Sequence, residues 1–226
     1  MIKAVLADID NTFIDFPAGA SMVVEETFRR AGLGFSDEVL EVYNSVSKDV
    51  WGRLDRGELS HGDIVYGRWD MIFDRLGIRY SSEKMEDIFE TLLSETAVPE
   101  EGAAECAAAI AGKYPLYLAS NSFAKDQRRR MTVAGLADYV TGYFLSTDVG
   151  TFKPHRRFFE YCVQQIGCAP SEIVMLGDSP YADTRVPRMM GMRTVLYDKR
   201  GLYAPGEFSD YVCGSLKEAA DLILSF

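Results

Sequence analysis

The strongest constraint on this chain is a rhythm. Short apolar runs recur, each stopped by a polar residue and separated from the next by a stretch with helical spacing. The runs are Ile2–Ala7, Leu116–Ala119, Tyr143–Leu145, Ile173–Leu176, Thr194–Tyr197 and Tyr211–Cys213. They are too brief for buried helices and read as strands. Between and after them, Glu101–Lys113, Lys125–Ala134, Arg156–Ile166, Ala182–Met190 and Leu216–Leu224 read as helices. Strand alternating with helix builds βαβ units, hence an α/β fold whose parallel sheet is covered on both faces with right-handed crossovers.

Residues 15–97 break the rhythm. No strand pattern occurs there, and apolar residues recur at helical spacing, as in Met22, Val23 and Phe28, then Val39, Leu40, Val42, Tyr43 and Val46. Ser36 and Asp37 are placed to cap a helix from Glu38, Ser60 a second after Gly57, and Ser81–Ser82 a third after Gly77. The expected organisation is a sheet domain of residues 1–14 and 98–226, with residues 15–97 as a helical insert. Val98–Pro99 marks the return to the sheet.

Composition narrows the partners. With 47% hydrophobic and 26% charged residues in 226, the chain is an ordinary globular protein, long enough to bury a core unaided. Lys plus Arg number 24 and Asp plus Glu 34, so the net charge is −10. Such a chain repels a nucleic-acid backbone and offers no polybasic membrane anchor. The four cysteines, Cys106, Cys162, Cys168 and Cys213, form no CxxC pair and no zinc spacing, which fits free thiols in a reducing compartment. The apolar stretch before Asp8 is too short for a signal peptide, and no run approaches a membrane span. A cytoplasmic enzyme is the expectation.

Chemistry gathers just past the strands. Ile2–Ala7 runs into Asp8-Ile9-Asp10-Asn11-Thr12, Leu116–Ala119 into Ser120-Asn121, and Ile173–Leu176 into Gly177-Asp178-Ser179-Pro180-Tyr181-Ala182-Asp183. Tyr143–Leu145 is followed, a short loop later, by Lys153-Pro154. In an open parallel sheet these positions share the carboxyl edge, where ligands bind. Clustered carboxylates repel one another unless a cation joins them, and an oxygen-only donor set suits Mg²⁺. Asp8 and Asp178 are the expected metal ligands. The cation and Lys153 would draw an anionic substrate that the net charge otherwise repels, while Ser120, Asn121 and nearby backbone N–H groups would hold phosphoryl oxygens. A carboxylate can attack phosphorus, which makes Asp8 the candidate nucleophile. Asp10, two residues on, is the candidate general acid and base.

The DxDxT run at 8–12, Ser-Asn at 120–121, Lys-Pro at 153–154 and GDxxxxD at 177–183 resemble, in order and spacing, the four motifs of the haloacid dehalogenase-like (HAD) hydrolases. The resemblance implies a Rossmann-like three-layer core with an α-helical cap inserted after the first motif. It implies that Asp8 is the nucleophile and that Asp10 is the acid/base and lends a backbone carbonyl to magnesium. It makes Asp178 a metal ligand, and Asp183 a support of the metal through water. The second Asp, which the family's dehalogenases lack, favours phosphatase or phosphomutase chemistry on a small phosphorylated metabolite. The stretch 44–59, with Lys48, Trp51 and Leu54-Asp55-Arg56-Gly57-Glu58-Leu59, then Arg68-Trp69 and Leu76-Gly77-Ile78, looks like the cap of the pyrimidine 5′-nucleotidase subgroup. That likeness implies nucleoside 5′-monophosphate substrates, with Lys48, Trp51 and Arg68 as candidate contacts. One departure is at the third motif, where the family often has Lys-Pro-x-Pro and this chain has Lys153-Pro154-His155-Arg156.

Other features read as structural. His61 and His155 have no metal-ligand spacing, Trp51 and Trp69 suit packing as well as stacking, and Arg128–Arg130 reads as a solvated helix segment. No dinucleotide, P-loop or serine-hydrolase motif occurs. Competing readings are a phosphatase or mutase of small sugar phosphates or phosphoglycolate, and a binding protein that kept the fold without turnover.

Overall fold

The structure, a computed structural model, describes residues 1–56, 58–59, 63–64, 67–122 and 127–226. The described chain forms two compact units, one of Met1–Asp15, Val98–Ser122 and Met131–Phe226, the other of Phe16–Ala97 together with residues 127–130.

The first unit is the expected α/β core. Strands β1 (Ala4–Asp8), β2 (Leu116–Ser120), β3 (Gly142–Leu145), β4 (Ile173–Gly177), β5 (Arg193–Tyr197) and β6 (Tyr211–Cys213) form one sheet in the order β3-β2-β1-β4-β5-β6. Every pairing is parallel. This is the Rossmann order, in which strand succession reverses between β1 and β4 and leaves a crevice at their carboxyl ends. All residues of β1 and β4 are buried, as continuous apolar runs covered on both faces demand. On one face, Phe158, Phe159 and Cys162 of the helix Arg156–Ile166 pack with Leu6, Ala119, Phe144 and Met175. The helices Ala103–Ala111 and Leu216–Leu224 pack on one another.

Two local details were not anticipated. Ser146–Val149 forms a short helix after β3. The single helix expected over 182–190 is instead a π turn, Pro180–Thr184, followed by a short helix, Arg185–Met189. The wide turn is where Asp183 folds back toward the sheet, as described below.

The described residues of the second unit form helices joined by short loops, with no strand among them. Helices α1 (Phe16–Arg30), α2 (Asp37–Asp55), α3 (Gly67–Leu76) and α4 (Ser82–Ser94) surround an aromatic core of Phe28, Tyr43, Trp69, Phe73 and Phe89. The Ser81 hydroxyl caps α4 by accepting from the Lys84 N–H at 3.3 Å. Gly77, at φ 65°, ends α3 in the left-handed conformation that glycine takes without strain. Ser36 stands at the start of α2, but its side chain makes no cap bond. The expected cap at Ser60, and His61, lie outside the described residues. Met22, read as an inward position, is 65% exposed.

The arginine run needs a correction. Arg128 and Arg129 are exposed, but Arg130 is 0% exposed. Its Nη1 donates to Gln127 Oε1 at 2.8 Å, and its guanidinium lies 5.8 Å from the centre of the Phe16 ring. Three consecutive helical residues point in three directions, so one of them turned inward. These contacts, with the Arg129–Glu95 ion pair at 2.9 Å, explain why residues 127–130 group with the helices rather than with the sheet unit in which the sequence had placed them.

Candidate active site

The core turns sharply after β1 and places two carboxyls there, Asp8 buried and Asp10 half-buried. The Ile9 carbonyl accepts from the N–H groups of Phe13 and Ile14, both at 2.9 Å, and of Thr12 at 3.3 Å. Asn11 sits at φ 64°, a conformation that Asn tolerates better than most residues. The turn brings the Thr12 hydroxyl back to donate to Asp8 Oδ2 at 3.1 Å. Asp8 is paired in register with Ala119 of β2, so Ser120 stands one residue further along the neighbouring strand. Asp178 follows the end of β4 on the other side.

Lys153 joins these ends. Its side chain is 2% exposed, and the ammonium donates to Asp8 Oδ1 at 2.5 Å, Asp183 Oδ1 at 2.7 Å and the Ala119 carbonyl at 3.0 Å. Three acceptors satisfy all three ammonium protons. Asp183 takes a further bond on Oδ2 from the Ser179 N–H at 3.0 Å. Its fit depends on Gly177, because a Cβ there would lie 2.4 Å from the Asp183 carboxyl carbon. Asn121 holds the lysine's backbone, donating through Nδ2 to the Lys153 carbonyl at 2.7 Å and accepting on Oδ1 from its N–H at 2.8 Å.

Electrostatics follow from burial. Burial pushes the Asp8 carboxyl up to about 7, against the pull of the Lys153 ammonium and with a further push from Asp183. Burial alone would lower the Lys153 pKa, but Asp183 and Asp8 more than offset it and hold the ammonium well above its ordinary range. The cysteines play no part in such a site. Burial pushes the thiols of Cys106 and Cys162 up to about 12 and that of Cys213 up to about 11, so these three are not thiolates at neutral pH.

Asp8, Asp178 and Asp183 each offer an oxygen within 4.8 Å of the others. Three ionised carboxylates and one ammonium carry a net charge of −2, which a divalent cation neutralises. The donors are all oxygen, as a hard cation such as Mg²⁺ requires. The residues present therefore fit such an ion.

Asp8, Lys153, Asp178 and Asp183 thus come together, and Ser120, buried, stands on the adjacent strand end with its Oγ accepting from the Ser122 N–H at 2.9 Å. Asp10 is half-buried and close enough to Asp8 to raise its pKa. Other expected contacts are placed differently. The Asn121 amide, expected on phosphoryl oxygens, is committed to the Lys153 backbone at both ends. Arg68, expected on substrate, is 3% exposed inside the helical unit. There its Nη2 donates to Glu86 Oε2 at 2.6 Å, and its guanidinium lies 4.9 Å from the Phe89 ring centre. The Trp69 indole also donates to Glu86, so Trp69 is a packing residue. Trp51 is half-buried with its ring edge-on to Phe16, and Lys48 is exposed. The sequence reading missed the aromatic group Tyr181, Tyr203 and Phe208. The first of these lies inside the fourth motif, which was the available signal.

Among the described residues, no helix is long and apolar enough to cross a membrane. Comparison with known proteins agrees with the geometry. The pyrimidine 5′-nucleotidase PynA of Streptococcus pneumoniae is 26% identical over 88% of this chain and 85% of its own length. The phosphoserine phosphatase of Thermus thermophilus is 28% identical over 96% of this chain and 97% of its own. The crystal structure of the HAD-hydrolase YfnB of Bacillus subtilis, itself bound to magnesium, superposes with a TM-score of 0.90 at 20% identity, covering 98% of each chain. Residues 2–191 match the family described as haloacid dehalogenase-like hydrolases, and the chain belongs to that family.

Proposed function

We propose that this protein is a Mg²⁺-dependent phosphomonoesterase that hydrolyses nucleoside 5′-monophosphates, pyrimidine nucleotides foremost, through an aspartyl-phosphate. The observation that carries the reading is the Lys153 ammonium held between Asp8 and Asp183 within a three-carboxylate cluster at the strand edge. A bound cation would bring the net charge of this cluster to zero, with the Lys153 ammonium beside it, and so would lift the repulsion that an otherwise acidic protein exerts on a phosphate ester. Magnesium bound by Asp8 and Asp178, with the Asp10 carbonyl and Asp183 in support, would neutralise charge on the phosphoryl oxygens.

The chain's own groups supply the rest. The ionised Asp8 carboxylate attacks phosphorus and forms a P–O bond, while the bond to the leaving oxygen breaks. Asp10 gives that oxygen its proton, and the alcohol departs. Asp10 then takes a proton from water, whose oxygen attacks phosphorus and breaks the bond to Asp8, releasing inorganic phosphate. The Ser120 hydroxyl donates to one phosphoryl oxygen, and the Lys153 ammonium exchanges one of its three present acceptors for another. Thr12 and Lys153 fix the Asp8 carboxyl before substrate arrives, so little reorganisation accompanies attack.

Residues 15–97 serve in this reading as the cap that selects the leaving group, with Lys48 and Trp51 as its candidate contacts. Supporting the nucleotide assignment are the likeness of residues 44–59 to nucleotidase caps and the relative PynA. The phosphoserine phosphatase, at similar identity, marks small phosphate esters as the competing substrates. A cytoplasmic location suits such metabolites and the free thiols.

The test is phosphate release from UMP, from p-nitrophenyl phosphate and from sugar phosphates, with and without Mg²⁺. UMP should be turned over faster than the sugar phosphates, and Asp8→Asn should reduce turnover about a thousandfold or more. Hydrolysis by that variant near the wild-type rate refutes the nucleophile assignment.

A further inference from the structure

Beside the acidic cluster, on the same edge of the sheet, the chain leaves β5 in a long loop, residues 198–210, before β6. β5 pairs with β4 so that Gly177 faces Leu196, which sets the start of this loop next to Asp178. The loop is firmly held. The buried Asp198 accepts on Oδ2 from the N–H groups of Leu202 at 2.5 Å and Tyr203 at 2.8 Å, and on Oδ1 from Arg200 N–H at 3.2 Å. Arg188 donates to the Gly206 carbonyl at 2.8 Å and to Asp210 at 2.9 Å.

What the loop holds is aromatic. The Phe208 ring lies 5.1 Å from that of Tyr181, tilted by 56°, and 5.9 Å from that of Tyr203, edge-on at 85°. Neither contact is a face-to-face stack. Tyr181 sits in the π turn between Asp178 and Asp183, so the group begins at the carboxylate cluster. Tyr203 is 36% exposed despite the bonds that fix its backbone. Burial, then Tyr181 and Asp198, raise its phenol pKa against the pull of Arg200. A rigid loop that presents an aromatic ring without burying it is arranged to meet a flat partner.

We propose that Tyr181, Phe208 and Tyr203 form an aromatic shelf that receives the planar ring of the substrate's leaving group, with Tyr203 as the specificity-determining residue. The proposal rests on the phosphatase reading above and deepens it. A phosphoryl group at Asp8 leaves a nucleobase to extend across the core, where ring faces reward stacking and a short aliphatic ester gains nothing.

The experiment compares kcat/KM for UMP and for glycerol 3-phosphate, which has no ring, in wild type, Tyr203→Ala and Tyr203→Phe. The UMP-to-glycerol phosphate ratio should fall about tenfold in Tyr203→Ala and stay within about threefold of wild type in Tyr203→Phe. An unchanged ratio in Tyr203→Ala, including an equal loss on both substrates, overturns the shelf while leaving the phosphatase reading intact. A wild type that hydrolyses both without preferring UMP does the same. If the wild type hydrolyses neither, the phosphatase reading fails, and UMP binding by calorimetry decides the shelf. Affinity about tenfold weaker in Tyr203→Ala sustains it, and equal affinity or no binding in the wild type refutes it.

Discussion

Replacing Lys153 by Met removes the ammonium while keeping an unbranched apolar stem of similar length. Asp8 and Asp183, whose side chains are buried, then face each other without a cation between them. Breaking a buried ion pair by deleting one partner costs about 3–5 kcal/mol, because the surviving charge is left desolvated. For a protein of this size each kcal/mol moves Tm by about 2–4 °C, so the variant should melt roughly 6–20 °C below wild type at pH 7.5 without added cation. The pH dependence gives a second check. Burial already holds the Asp8 carboxyl up to about 7, above its ordinary 3.8, so the folded state takes up a proton more readily than the unfolded chain. Stability carried by that group is therefore greatest at acid pH and declines as pH rises from about 4 to about 7. Without the lysine's pull the Asp8 pKa moves higher still, so the deficit of Lys153→Met should shrink on acidification. Calorimetry or far-UV circular dichroism is the suitable assay, because Trp51 and Trp69 both lie in the helical unit and report little on the core. A deficit below about 1 kcal/mol at pH 7.5, or one that does not change between pH 5 and 7.5, refutes the account of Lys153 as the counter-charge of two buried acids.

Three further outcomes follow from the same geometry. Gly177→Ala sets a methyl group against the Asp183 carboxyl at 2.4 Å, so it should cost about 1–3 kcal/mol and weaken Mg²⁺ binding; wild-type Tm and affinity refute the close fit. Mg²⁺ binding at pH 7 should release up to roughly half a proton, because Asp8 in the metal-free protein is near its midpoint, and less at pH 8.5; calorimetry in buffers of different ionisation heat reads the difference. Arg68→Met should destabilise the helical unit by about 3–5 kcal/mol and shift tryptophan fluorescence, since Trp69 shares Glu86 with Arg68, whereas a substrate contact would raise KM and leave Tm unchanged.

Much of the core was legible because its signals are local. Helices Arg156–Ile166 and Leu216–Leu224 have the bounds that periodicity assigns, and so does strand Tyr211–Cys213. The positions of Asp8, Ser120 and Asp178 at one sheet edge follow from strand direction alone. What escaped depends on partners distant in sequence. Arg68 reads as a candidate substrate contact until Glu86, 18 residues on, is folded against it. Arg130 is drawn inward by Phe16 and bonds the Thr96 carbonyl at 3.5 Å, neither of which a helical wheel includes. Asn121 reads as a substrate ligand because it follows Ser120, yet Lys153, 32 residues away, occupies its amide. The π turn at Pro180–Thr184 escaped because its apolar spacing resembles that of a helix, and only the need to bring Asp183 under Gly177 distinguishes them.

The two points where the core hands the chain to the helices and takes it back are bound to each other. The Asp15 N–H donates to the Val98 carbonyl at 2.8 Å, and the Glu100 N–H donates to the Phe13 carbonyl at 2.9 Å. The Lys199 ammonium, 2.7 Å from Glu100 and 4.0 Å from Asp15, secures both crossings to the loop after β5. The sheet therefore closes on itself whatever is threaded between residues 15 and 98, and the length of that excursion adds little to the entropy of closing it. Such a seam makes the helical module interchangeable: its length and shape can change without disturbing the carboxylates gathered at the sheet edge.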